Sequence, residues 1–138
     1  MNPEDIRQLV RGRVGQAEES LADAKALFRS GGSSRSVVNR AYYCMFYSVL
    51  ALLQSISRVP RKHQGAISLF DLEFVHKGLL SKDLSADLHR IFEMRQLGDY
   101  KTLEPVSLDE ATAAIGAAER FLSEVRLYLT KAGHLPNE

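Results

Sequence analysis

Cysteine is nearly absent from this chain of 138 residues: Cys44 is the single example, set in an apolar run. A disulfide framework is therefore excluded, and a lone thiol fits a reducing, cytoplasmic setting. Four prolines and nine glycines in an otherwise ordinary composition leave no sign of disorder or low complexity. Long hydrophobic runs are missing too. The nearest, "AYYCMFYSVLALL" from Ala41 to Leu53, is too short and too rich in tyrosine to span a membrane. The opening "MNPEDIRQLV" has neither the basic nor the apolar region of a signal peptide. His63, His76, His89 and His134 show no metal-ligand spacing, and there is no Walker loop, dinucleotide fingerprint or nucleophile elbow. No metal and no cofactor is expected.

Acidic residues are missing from one long stretch. None occurs between Asp23 and Asp71, an interval that holds Lys25, Arg29, Arg35, Arg40, Arg58, Arg61 and Lys62. The net charge of +1 hides this asymmetry: residues 1–62 carry ten basic and five acidic groups, residues 63–138 eight and twelve. Two readings stand. The basic half is a solvated surface balanced by the acidic half, across a dimer contact for example, or it is an anion-binding surface.

What is present is helical periodicity, with no convincing strand. Asn2 and Pro3 form an N-cap with proline at the first helical position, followed by apolar residues at helical spacing from Ile6 to Phe28. After "RSGGSS", with Ser33 or Ser34 as cap, a second helix runs from about Arg35 to Ser55. It is apolar over most of its circumference, as the central helix of a bundle would be. Its one polar stripe is Ser36, Arg40, Tyr43, Tyr47 and Gln54. The basic loop "SRVPRKHQG" follows, then a third helix over roughly Gln64–Val75 and a fourth from near Ser81, carrying Leu84, Leu88, Ile91, Phe92, Arg95 and Asp99. "SLDE", Ser107–Glu110, is a capping box that opens a long fifth helix, with Gly133 at its end. The expected fold is all-α, one domain over 1–138, an antiparallel up-and-down bundle of about five helices.

The stretch "MRQLGDYKT", residues 94–102, breaks the pattern. It puts an arginine and an aspartate on an apolar stripe near a helix C-terminus, where the helix dipole disfavours an acid. The Arg-to-Asp order is also the weaker one for a pair one turn apart. A tertiary reason is implied. In one reading Asp99 pairs with Arg40 and Arg95 joins a buried network that fixes helix register. In the other Arg95 is a phosphate ligand, oriented by Asp99 and with Tyr100 nearby, since a guanidinium gives phosphate two parallel hydrogen bonds. The run Arg40, Tyr43, Tyr47 is open in the same way. Tyrosines of a central helix can be core residues, and an arginine flanked by them can also hold a phosphate while a base stacks.

"SSRSVVNRAYYCMFYSVLALL", "KHQGAISLF" and "MRQLGDY", in this order and spacing over nearly the whole chain, resemble the HEPN family, the higher-eukaryote-and-prokaryote nucleotide-binding domain, and most of all its small stand-alone prokaryotic members. The resemblance implies a helical bundle that dimerises and binds RNA or a nucleotide. It also implies a toxin-like role beside a minimal nucleotidyltransferase antitoxin, with possible metal-independent ribonuclease activity. The family's catalytic motif is an arginine followed after four to six residues by a histidine. Arg95 matches the arginine. The window after it reads "DYKTLE", with Tyr100 and no histidine. Histidine suits proton transfer because its pKa lies near neutrality, whereas tyrosine titrates near ~10. The implied site is thus Arg95, Asp99 and Tyr100 for chemistry, with Arg40, Tyr43, Tyr47, Arg58, Arg61, Lys62 and His63 for nucleotide or RNA. His63 is the only other histidine in a family-like position. Two rivals remain: a non-catalytic binding partner of the nucleotidyltransferase, which the missing histidine favours, and a structural helical adaptor, which the acid-free stretch disfavours.

Overall fold

The computed structural model describes residues 1–100 and 106–137, the side chains of 97–100 excepted. Its secondary structure, among the described residues, is entirely helical, with five α-helices: α1 (Pro3–Arg29), α2 (Ser34–Ser55), α3 (His63–Phe70), α4 (Lys82–Tyr100) and α5 (Leu108–Lys131). No helix among them is long and apolar enough to cross a membrane.

The helix ends follow from local chemistry. The Asn2 side chain accepts from the Asp5 N–H at 2.9 Å, Pro3 occupies the first turn, and Glu4 and Asp5 face the positive end of the helix dipole. α1 stops at Gly31, whose φ of 81° is the left-handed conformation that glycine adopts without cost. The Gly32 N–H then reaches back to the Leu27 carbonyl at 2.8 Å, closing the last turn. Ser33 caps α2. The capping box at Ser107 and Glu110 forms in both directions, each bond 3.0 Å long. Gly133, with φ 84°, lies one residue past the C-cap Ala132 and ends α5 as Gly31 ends α1.

α2 is the central helix and packs on all four others. Tyr42, Met45, Val49 and Leu52 are fully buried on it, against Val10 and Ala17 of α1, Leu88 and Ile91 of α4, and Phe121, Val125 and Leu129 of α5, all in one core. The expected polar stripe of α2 divides. Ser36 and Arg40 are exposed, Tyr43 and Tyr47 are half-buried, and Gln54 is buried with its Nε2 lacking a hydrogen-bond partner among the described residues.

The third helix differs from the uniform α-helix expected over 64–75. It is α-helical only to Phe70 and continues as a π turn, Asp71–Val75, in which the His76 N–H bonds the Asp71 carbonyl at 2.8 Å. The wider turn holds one extra residue. It buries Phe70, Phe74 and Val75 together and still turns Asp71 to α4, where its two carboxylate oxygens meet the Ser85 hydroxyl and His89 Nε2, each at 2.6 Å.

Candidate functional site

One row of α2, Asn39, Tyr42, Tyr43 and Phe46, advances by three or four residues and so lies along one face of the helix. Arg95 approaches this row from α4, and His63, the first residue of α3, approaches it from the basic loop. Three elements thus converge on one cluster.

Arg95 is half-buried and held along one edge. Its Nε donates to the Asn39 Oδ1 at 2.8 Å and one terminal nitrogen donates to the Tyr43 hydroxyl at 3.3 Å. Its guanidinium carbon lies 5.0 Å from the Tyr42 ring centre and 5.3 Å from that of Tyr43, within cation–π range. Both hydrogen-bonding anchors are neutral. Among the described residues no carboxylate pairs with Arg95, so the side chain is fixed while its charge stays uncompensated by them.

His63 stacks on Phe46 and bonds through Nδ1 to the Tyr42 hydroxyl at 2.8 Å. Burial, with the Arg95 charge adding to it, holds its pKa below the usual histidine range, so the ring is neutral at pH 7. Burial likewise raises the Tyr42 hydroxyl far above the ordinary tyrosine value, with Arg95 opposing. Tyr42 therefore keeps its proton. Where the hydroxyl donates to Nδ1 the imidazole proton sits on Nε2; the reverse tautomer would leave the hydroxyl proton without an acceptor among the described residues. In that tautomer Nδ1 is occupied by Tyr42, and Nε2–H is a hydrogen-bond donor on a ring that shares Tyr42 with the anchored guanidinium.

The structure thus joins Arg95, His63 and Tyr43 among the residues singled out by sequence. Tyr47 neighbours Tyr43 with ring centres 5.9 Å apart. Arg58, Arg61 and Lys62 are exposed in the loop that delivers His63, and Arg58 lies 3.8 Å from the Glu73 carboxylate. Arg40 is exposed and is not among the partners of Arg95. The side chains of Asp99 and Tyr100 lie outside the described residues, and with them the proposed pairing of Asp99 with Arg40. Sequence reasoning passed over Asn39 and Tyr42. The available signal was the α-helical i, i+4 row: Asn39 precedes Tyr43 by one turn, and Tyr42 precedes Phe46 by one.

Cys44 is buried on α2, where burial pushes its thiol up to about 12, so it offers no nucleophile at neutral pH. Among the described residues no three His, Cys, Asp or Glu side chains are arranged to hold a metal ion.

Comparison with known proteins agrees with this architecture. The sequence profile described as the HEPN domain matches residues 10–128. A Methanocaldococcus jannaschii protein named "Putative toxin MJ0605" is 35% identical over 122 residues, covering 88% of this chain and 90% of that protein. A Thermotoga maritima protein named "UPF0332 protein" is 38% identical over 110 residues, covering 80% and 83% respectively. A second M. jannaschii protein, "Putative toxin MJ0142", is 30% identical over 125 residues, covering 91% and 84%.

Proposed function

The chain belongs to the HEPN family, and from that premise we propose that it is a toxin-like HEPN protein that binds the phosphates of RNA or of a nucleotide through Arg95 and His63. The observation that carries this reading is the anchoring of Arg95 by two neutral groups, Asn39 and Tyr43. A guanidinium kept for register would be expected to find its countercharge in the fold, and no carboxylate among the described residues supplies one. One held for a ligand is fixed by neutral acceptors and leaves its charge for an anion. His63 adds an Nε2–H donor, and Arg61 and Lys62 extend the positive surface along the loop. The toxin names of two relatives support an antitoxin partner, and the nucleotidyltransferase class is the one implied by the resemblance. A homodimer in a cytoplasmic setting belongs to the same reading.

Binding is favoured over cleavage as the role of the resting site. A base for the 2′-hydroxyl needs a free nitrogen lone pair, and in the Tyr42-bonded tautomer Nδ1 is occupied while Nε2 carries the proton. The test is one assay with two readouts. Single-stranded RNA is incubated with wild type, Arg95→Ala and His63→Ala in EDTA, and retention and cleavage are both scored. We expect retention that Arg95→Ala abolishes and His63→Ala weakens. Equal retention by wild type and Arg95→Ala would remove the basis of this reading, and EDTA-resistant cleavage lost in both variants would replace binding with catalysis.

A further inference from the structure

Arg95 and its anchor Asn39 also form a wall of a pocket on the side of the site away from the contacts of His63 with Tyr42 and Phe46. The pocket lies between the first turns of α2 and the later part of α4 and measures about 230 Å³. Its described polar lining is Arg35, Ser36, Asn39 and Arg95, with no carboxylate. Every one of these groups presents a donor. Arg35 makes no ion pair with a described residue. The Asn39 oxygen already accepts from Arg95, which leaves its NH2 to donate. The Ser36 oxygen accepts from the Ser33 hydroxyl at 2.8 Å, which leaves the Ser36 proton free to donate. A described lining whose polar groups all donate, two of them arginines, selects an anion. The volume falls below the ~300–1,000 Å³ typical of sites for whole drug-sized ligands, so a base with its sugar and phosphate does not fit inside.

We propose that this pocket binds a second phosphate of the same ligand, next to the one held by Arg95 and His63, with Arg35 as its main contact. The proposal rests on the phosphate-binding reading above and narrows it to ligands with neighbouring phosphates. Such phosphates come from an RNA strand or from a nucleoside polyphosphate.

The test compares the dinucleotide UpU, which has one phosphate, with pUpU, which has two, by calorimetric titration of the full chain. Wild type should bind pUpU about tenfold more tightly, the size of one charge-assisted hydrogen bond. Arg35→Gln and Arg35→Glu should erase that ratio, and Arg35→Lys, which keeps the charge, should retain most of it. Arg95→Ala should weaken both ligands, which tests the underlying reading separately. If UpU binding depends on Arg95 but wild type prefers neither pUpU to UpU nor ATP to AMP, or if the preference survives in Arg35→Glu, the second phosphate site is overturned and the first stands. If wild type binds neither dinucleotide, both fall. Titrations with AMP and ATP identify the source. An ATP preference lost in Arg35→Gln assigns the pocket to nucleoside polyphosphates, whereas a pUpU preference without an ATP preference assigns it to a strand. Each of those outcomes supports the pocket.

Discussion

The ring of His63 lies flat on that of Phe46, with centres 3.9 Å apart and planes 9° from parallel. One face of the imidazole is thus covered by α2, and Nδ1 is tied to Tyr42 on the same helix. Protonation would place a cation against an aromatic stack already facing Arg95.

This contact makes stability depend on pH in a defined direction. The folded pKa of His63 lies below its unfolded value of about 6.5. Below that pH the unfolded chain binds more protons than the folded one, so stability is fully present above it and is lost as pH falls through the folded pKa. His63→Phe keeps a ring on Phe46 and cannot titrate. Its melting temperature should therefore gain on wild type as pH is lowered from ~7 to ~5. Melting curves that stay parallel across that range would rule out the depressed pKa.

Arg95 separates scaffold from ligand site. Arg95→Ala returns the half-buried Asn39 and Tyr43 groups to water, which should cost about 1–2 kcal/mol by urea denaturation. Arg95→Lys should fold normally yet bind RNA weakly, since an ammonium cannot bond Asn39 and Tyr43 and still present a fork to phosphate. A loss above about 4 kcal/mol in Arg95→Ala would mark the residue as a buried structural charge instead.

The basic loop should show itself through salt. In the double variant Arg61→Ala, Lys62→Ala the slope of log affinity against log salt should flatten by about 1.4, near 0.7 per lost contact to single-stranded nucleic acid. Arg58→Ala should change the slope less, because Glu73 already stands beside that guanidinium. A slope unmoved by the double variant means that RNA does not run over this loop.

Asp71 joins the π turn to α4 through Ser85 and His89. Asp71→Ala should destabilise by about 1–2 kcal/mol, and adding Ser85→Ala should cost less than it does alone, because its partner is already gone. Full additivity of the two losses would show that the Ser85–Asp71 bond contributes nothing.

The elements legible in the sequence are those governed by neighbours a few residues apart. Asn2 with Pro3, Ser33, the Ser107–Glu110 box and Gly133 all act within one turn, and each marks the helix end it was expected to mark. The stripe of α4 was legible as far as Arg95 for the same reason. The partners of Arg95 were not. Asn39 is 56 positions away, and periodicity says which face a residue occupies without saying what meets it. Arg40 follows Asn39 in the chain, yet the row that meets α4 runs through Asn39 and Tyr43, so a one-residue difference in phase sends Arg40 outward. The π turn left no trace either. A bond to the fifth residue needs the same residue types as a bond to the fourth, and only packing on both sides of Asp71–Val75 selects it.

That turn has an evolutionary consequence. A π turn is an α-helix that has absorbed one inserted residue, so Asp71–Val75 is a place where the chain can shorten without changing the phase of what comes before and after. Leu72, half-exposed within it at 52%, is the residue whose deletion disturbs the core least. Lineages of this fold should accordingly differ by a single-residue gap here, with the residues equivalent to Phe70 and Phe74 kept on both sides of it.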